Sequence, residues 1–296
     1  MFGRQCSRRP VQIMISSFLS DIGTKLAPIS DTPDLDASVL LAHLLDKSRT
    51  WVLAHPEVTL TAEQQNHLNE SLARLERGEP FPYVLGHWEF FGLDFDITSD
   101  VLIPRPETEL LVEKALAWLR EFPARRTIAD VGTGSGAIAV SIATNVPDAK
   151  VLATDISFKA LQVARRNAIK FNSTHQIDFV QCDLLPYSTD TLPIKPHFDL
   201  ICANLPYIPT DTLHQLSIFG REPSLALDGG PDGLELIRRL LSIAPKWLKP
   251  DGVMLLEIEA TRGIQALNLA CDMFSKGMIH LQQDLAGRNR LMEITL

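Results

Sequence analysis

The hydrophobic and polar positions divide the chain into three textures. From Ser16 to about Gly78 apolar residues recur every three or four positions, the spacing of one helical face. Ile15, Phe18, Leu19 and Ile22 form one run, and Val39, Leu40, Leu41, Leu44 and Leu45 form another after Asp36. Thr61 followed by Glu63 and Gln64 marks a third helix start, leading to Leu68, Leu72 and Leu75. A threonine hydroxyl can accept a free backbone N–H of a first turn, and Gly78 supplies the stop. The pattern predicts a helical bundle over 16–85, preceded by an extended N-terminus over 1–15. From Trp88 the texture turns aromatic and alternating around Phe91-Gly92, which predicts a β-hairpin within 86–104. Pro104 and Pro106 end it, and helical spacing resumes from Glu107 to Leu119.

From Thr127 onward apolar strands alternate with helices. The strands are expected at Thr127–Val131, Lys150–Thr154, Ile177–Cys182, Phe198–Ala203, Val253–Ile258 and Leu291–Ile294. Helices are expected at Gly136–Asn145, Phe158–Lys170 and Gly233–Trp247. This alternation is the grammar of a doubly wound, mostly parallel α/β sheet, assigned to 105–296.

Composition narrows the function classes. The 296 residues are 45% hydrophobic and 22% charged, enough apolar material for a large core. No apolar run is long enough to span a bilayer. The net charge of −8 argues against stable binding to nucleic acid, which calls for a basic footprint. Cys6, Cys182, Cys202 and Cys271 form no C-x-x-C pair and none has a histidine at metal-ligand spacing, so no metal site is expected. They read as incidental thiols of a reducing cytoplasm. A transit peptide is one reading of Met1 to Gln12, which carry Arg4, Arg8 and Arg9 and no acid, but the stretch is short and shows no amphipathic pattern. The expectation is an extended or misassigned N-terminus, with Met14 as an alternative start.

Two motifs carry chemistry. Asp130-Val131-Gly132-Thr133-Gly134-Ser135-Gly136 follows the first strand of the α/β region and opens a helix. Glycines let the backbone turn sharply and let a ligand approach it closely. The G-x-G-x-G spacing departs from the G-x-G-x-x-G dinucleotide fingerprint and from the phosphate-binding P-loop. Asp155 ends the next strand, where a carboxylate can accept both hydroxyl protons of a ribose. Asp183 and Leu184 follow the third strand, at the height of a base edge. Three strand tips facing one crevice predict a nucleoside-type cofactor, with a nicotinamide dinucleotide as the competing reading.

The second motif, Asn204-Leu205-Pro206-Tyr207, follows the fourth strand. An amide nitrogen is a poor nucleophile because its lone pair is delocalised into the carbonyl. A site that alkylates it must grip both N–H groups. The Asn204 side-chain oxygen and the backbone carbonyl of Leu205 can each accept one. Pro206 biases Leu205 toward an extended conformation, and Tyr207 offers a flat face for a planar group.

These residues resemble the peptide-chain-release-factor glutamine methyltransferase family (HemK/PrmC). The resemblance runs from about Ser16 and includes Asp34 to Ala37, Arg77 to Gly86, Val101 to Glu109, the glycine loop, Asp155, Asp228 to Leu234, and Asp284 to Arg288. It implies a class I S-adenosylmethionine-dependent methyltransferase with a seven-stranded sheet and an N-terminal helical docking domain. It implies methylation of the glutamine in the Gly-Gly-Gln loop of class 1 release factors. Cofactor contacts are then expected at Gly132, Thr133, Gly134, Ser135, Gly136, Asp155, Asp183, Leu184 and Asn204, and catalysis at Asn204, Leu205, Pro206 and Tyr207. Pro104, Arg105, Pro106, Glu107 and Thr108 are expected at the substrate mouth. Two positions depart from the family pattern: Leu205 replaces the first proline of Asn-Pro-Pro-Tyr, and Glu259 stands where the family has glycine in Glu-Ile-Gly. Adenine-N6 and cytosine-N4 DNA methyltransferases share the Asn-x-Pro-Tyr chemistry, and a non-catalytic binding protein on the same fold is a third reading.

Overall fold

The computed structural model describes residues 14–186 and 198–296, so the expectation for 1–13 lies outside the described residues. The chain forms two compact units that divide between Leu85 and Gly86. The first is helical: α1 (Ile15–Leu26), α2 (Pro33–Leu45), α3 (Arg49–Ala54), α4 (Ala62–Glu76) and α5 (Phe81–Leu85). Its core is made by Ile15, Ile22 and Leu26 of α1, Leu40 and Leu41 of α2, Val52 of α3, and Leu68, Leu72 and Leu75 of α4, all buried. Each such side chain contributes roughly 1.5–3 kcal/mol on leaving water. The helix start expected at Thr61 forms, and it carries a capping box: Gln64 N–H donates to the Thr61 hydroxyl at 3.1 Å, and Thr61 N–H donates to Gln64 Oε1 at 2.9 Å. Arg74 ties α4 to α5, donating to both Glu79 carboxylate oxygens and to the carbonyl of Tyr83.

The second unit opens with the hairpin, β1 (His87–Phe90) paired antiparallel with β2 (Leu93–Asp96). Its two-residue turn places both Phe91 and Gly92 at positive φ, 53° and 72°. Glu109 Oε1 accepts from the Phe91 N–H at 2.9 Å and so ties the turn to the start of the following helix. Buried Asn167 fastens the other end, exchanging hydrogen bonds with the Asp96 backbone and donating to the carbonyl of Ser135 in the glycine loop. The hairpin is thus an integral part of the second unit.

The main sheet comprises β3 (Thr127–Val131), β4 (Lys150–Asp155), β5 (Ile177–Gln181), β6 (Phe198–Ala203), β7 (Leu248–Glu257), β8 (Met278–Gln283) and β9 (Asn289–Thr295), in the spatial order β5-β4-β3-β6-β7-β9-β8. The first five are parallel and β9 is antiparallel to both neighbours. Helices α6 (Glu109–Glu121), α7 (Ala137–Asn145), α8 (Phe158–Lys170), α9 (Thr210–Leu213), α10 (Glu235–Ile243) and α11 (Gly263–Met273) complete the unit. β6 is buried at every position, the signature of a central parallel strand covered on both faces. β8 escaped the hydrophobic pattern because it is an edge strand with alternating half-exposed residues. The helix expected to run to Trp247 stops at Ile243, where Pro245 converts the chain into a 3-10 turn. Among the described residues no helix is long and apolar enough to cross a membrane.

At the amino-terminal ends of the central strands, opposite the end that carries the glycine loop, Asp199 acts as a clamp. Its buried carboxylate accepts from Arg126 N–H, from Thr127 N–H and hydroxyl, from Lys249 and from Arg125. Thr127 and Lys249 hold it down at about 2, against the opposing effect of burial. Because the folded pKa lies below the unfolded one, this stabilisation is full above about pH 4 and disappears as pH falls toward 2. Asp199→Asn is expected to cost about 2–3 kcal/mol at pH 7, with the gap to the unaltered protein closing below pH 4 in parallel thermal melts.

Candidate active site

The chain passes from β3 outward to β4 and β5, then returns to place β6 on the other side of β3. That reversal opens a crevice at the carboxyl ends of the strands, where open α/β sheets bind ligands. A cavity of about 800 Å³ lies there, in the size range of small-molecule sites. Gly132, Thr133, Gly134, Ser135, Asp155, Asp183, Leu184, Asn204, Leu205 and Pro206 all line it.

The glycine loop is pinned from beneath. Gly132 and Thr133 N–H groups donate to the carbonyl of Thr154 at 2.9 and 2.8 Å. Thr133 hydroxyl and Ala139 N–H donate to Asp130 Oδ2. Burial pushes the Asp130 carboxyl up to about 7 and leaves its Oδ1 without a partner. Sequence reasoning passed over this staple, since its role depends on burial rather than on the motif. Gly134 (φ 56°) has no atom within 4 Å of where a Cβ would stand. Gly136 is set back from the cavity: it caps α7, and a Cβ there would meet Ala164 Cβ at 3.1 Å. Its glycine serves the packing of α7 on α8.

Asp155 accepts from Ser157 N–H through Oδ1 and from Gly134 N–H through Oδ2. Each oxygen keeps lone pairs for a ligand hydroxyl. Burial raises its pKa, against these backbone donors. Asp183 is engaged by an unexpected partner, Arg239 of α10, whose guanidinium donates to Oδ2 at 2.5 Å. Leu184 adopts φ 61°, and its carbonyl is held by the Thr154 hydroxyl at 2.6 Å.

Past β6, Asn204 donates through Nδ2 to the Thr108 hydroxyl at 3.0 Å. Thr108 donates in turn to Glu257 Oε2 at 2.6 Å, and the Tyr207 hydroxyl donates to Glu257 Oε1 at 3.2 Å. Thr108 and Glu257 are buried, 4% and 2% exposed. Glu257 stands at the carboxyl end of β7, beside the end of β6. Burial raises the Glu257 pKa, which Thr108 and Arg290 oppose. Burial and the Glu257 charge push the Tyr207 hydroxyl well upward, so it remains a donor. Tyr207 does not itself line the cavity.

At the mouth, Pro104, Arg105 and Thr108 line the cavity while Pro106 and Glu107 do not. Buried Glu222 holds this segment: it accepts from Ile103 N–H at 3.1 Å and from the Arg105 guanidinium at 2.6 Å. The two departures from the family pattern also find their places. Leu205 is buried, and its Cδ2 lies 3.1 Å from the point a Gly132 Cβ would occupy, so it fills the wall beneath the glycine loop. Glu259 lies outside the cavity lining and caps a 3-10 turn, accepting from Thr261 N–H and hydroxyl.

A family model described as PrmC N-terminal domain matches residues 15–86, and one described as methyltransferase domain matches residues 128–217. The release factor glutamine methyltransferase of Moorella thermoacetica is 41% identical over 88% of this chain and 90% of its own length. That of Bordetella pertussis is 40% identical over 88% and 93%, and that of Coxiella burnetii 38% identical over 95% and 98%. The solved hMettl16 catalytic domain, in complex with MAT2A 3'UTR hairpin 6, shares the fold with TM-score 0.52 at 16% identity, over 82% of this chain and 84% of that one. A human methyltransferase 10 domain containing protein matches with TM-score 0.50 at 17% identity, over 69% and 88%. The fold is that of class I methyltransferases and the cofactor is S-adenosylmethionine. With relatives this similar along almost its whole length, the chain belongs to the release factor glutamine methyltransferase family.

Proposed function

We propose that this enzyme transfers a methyl group to the side-chain nitrogen of the glutamine in the Gly-Gly-Gln loop of a class 1 release factor. The observation that carries this reading is that Asn204 and Leu205 line the same cavity as the glycine loop and Asp155. A planar amide gripped at the first pair therefore sits beside a ligand held by the second. The cavity fits the cofactor: Gly134 leaves open space where a side chain would stand, and both Asp155 oxygens retain lone pairs. Gly132 to Ser135 would hold it along the backbone, Asp155 at the ribose, and Asp183 and Leu184 at the adenine. S-adenosylmethionine, once bound, supplies an electrophilic methyl group on a sulfonium sulfur.

The protein's own part is orientation. Asn204 Oδ1 and the Leu205 carbonyl accept the two N–H groups of the substrate amide and turn the remaining face of its nitrogen toward the methyl group. Pro206 restricts Leu205, and Tyr207, set back from the cavity, anchors the end of this loop through its bond to Glu257. Holding reactants in this way is worth roughly 7–11 kcal/mol. The methylated amide nitrogen is acidic enough to release its proton without a strong base. The mouth, lined by Pro104, Arg105 and Thr108, admits the loop, and the N-terminal helical unit docks the release factor. We assign the enzyme to the cytoplasm, where its substrate works and where Cys182, Cys202 and Cys271 stay as free thiols. Neither nucleic acid nor membrane is a stable partner on this reading.

Purified protein incubated with S-adenosylmethionine and a class 1 release factor is expected to add about 14 daltons, one methyl for one hydrogen, to the loop glutamine in peptide mass spectra. A release factor left unmodified while the cofactor binds would overturn the assignment. Transfer to duplex DNA in its place would move the enzyme to the amino-methylating DNA enzymes.

A further inference from the structure

We propose that Glu257, acting through Thr108, is a positioning residue that fixes the polarity of the Asn204 carboxamide, so that its oxygen rather than its NH2 faces the substrate. This rests on the reading of Asn204 as the group that grips the substrate nitrogen. The two ends of a carboxamide are nearly identical in shape and opposite in hydrogen-bonding sense. With Oδ1 toward the cavity, Asn204 accepts from a glutamine NH2. Turned over, it would present a donor to a donor, and could hold glutamine only by its carbonyl oxygen. The polarity therefore decides which end of the substrate amide approaches the methyl group.

The direction of the chain of bonds follows from its buried end. An ionised carboxylate has no proton to give, so Glu257 can only accept. Thr108 has a single hydroxyl proton and spends it on Glu257 Oε2. Only its lone pairs remain for Asn204, which must answer with Nδ2. Tyr207 spends its own proton on Glu257 Oε1, the other oxygen of the same carboxylate. Each link is dictated by the one before it, from the end of β7 to the end of β6. The groups facing Glu257 are Thr108 and Glu107 ahead of α6, Tyr207 after β6 and Arg290 of β9. Arg290 favours the ionised form, while burial and Glu107 oppose it. Protonating Glu257 gives it a proton to donate to Thr108. The Thr108 proton then turns to Asn204 and the carboxamide inverts.

The test compares Thr108→Val, Thr108→Ser and Asn204→Ala in the methylation assay, with cofactor affinity measured separately. Valine keeps the shape and removes the hydroxyl. It is expected to lower kcat roughly a hundred-fold, the cost of a misaligned reacting group, with cofactor affinity and the KM for the release factor retained. Serine restores the hydroxyl and most of the turnover. The kcat–pH profile of the unaltered enzyme supplies a reading that depends on no variant folding. The active form is the ionised one, so kcat falls as pH drops through the Glu257 titration, and the fall starts above the ordinary glutamate value of about 4.3. In Thr108→Val this acid limb is absent, a change that a merely structural threonine would not produce. A flat acid side in the unaltered enzyme, or a Thr108→Val enzyme with full kcat, would sink the proposal alone, provided Asn204→Ala is inactive. Full activity in Asn204→Ala would instead sink the reading on which it rests.

Discussion

Asn204→Ala is expected to lose two to three orders of magnitude in kcat while binding S-adenosylmethionine almost as well as the unaltered enzyme. Removing one preorganised hydrogen-bonding group from a transition state costs roughly 100- to 1,000-fold, or about 2.7–4 kcal/mol. On the proposed reading Asn204 is such a group: its Nδ2 donates to Thr108, and Oδ1 is the end left to accept from the substrate. Cofactor affinity is retained because the cofactor side is built elsewhere. The glycine loop hangs on the carbonyl of Thr154 and on Asp130, and Asp155 is set by the backbone of Gly134 and Ser157. None of these bonds involves Asn204. Calorimetric titration with the cofactor, run beside single-turnover methylation, separates the two effects. Turnover at the unaltered rate would remove Asn204 from the mechanism, and a parallel loss of cofactor binding would make it a cofactor residue instead.

What the sequence made legible was what lies close together along it. The glycine loop, Asp155 and the Asn204 to Tyr207 motif each sit at the tip of a strand whose apolar run is itself visible, so period and motif point to the same edge. The supporting residues are bound across long separations that no local pattern encodes. Thr108 and Glu257 are 149 residues apart in sequence, and Arg105 and Glu222 are 117 apart. Glu222 and Glu257 therefore had no visible reason to matter. Gly136 shows a demand the motif alone does not reveal: a Cβ there would meet Ala164 of α8, so helix packing calls for glycine at that position. Arg239 escaped notice because an arginine on an amphipathic helix reads as a solvated face until its partner Asp183 is placed beside it.

Gly233→Ala is the second substitution expected to act strongly, although it touches neither cofactor nor substrate. The turn from Asp228 to Leu234 backs the far end of the Asn204 to Tyr207 loop and the residues that follow it. Gly229 N–H donates to the carbonyl of Ile208, Ile208 N–H to that of Leu227, and Thr210 N–H to that of Gly230. Asp228 Oδ1 gathers Gly230 N–H and the Thr210 hydroxyl. Contact is so close that a Cβ on Gly233 would lie 2.4 Å from the carbonyl oxygen of Tyr207, and one on Gly229 would lie 2.7 Å from the Tyr207 Cα. These are backbone atoms, which cannot rotate aside as a side chain could. Gly233 also sits at φ 75°, where an alanine costs roughly 1–2 kcal/mol by itself. The loop must therefore shift, and a displacement of about 1 Å at a reacting group lowers turnover roughly a hundred-fold. Gly287→Ala separates strain from displacement, because Gly287 has nearly the same φ, 73°, with no atom within 4 Å of the new carbon. It is expected to lower the melting temperature and keep full kcat, whereas Gly233→Ala loses kcat in protein that is still folded and still binds cofactor. Equal turnover in the two variants would show that the turn does not set the position of the catalytic loop.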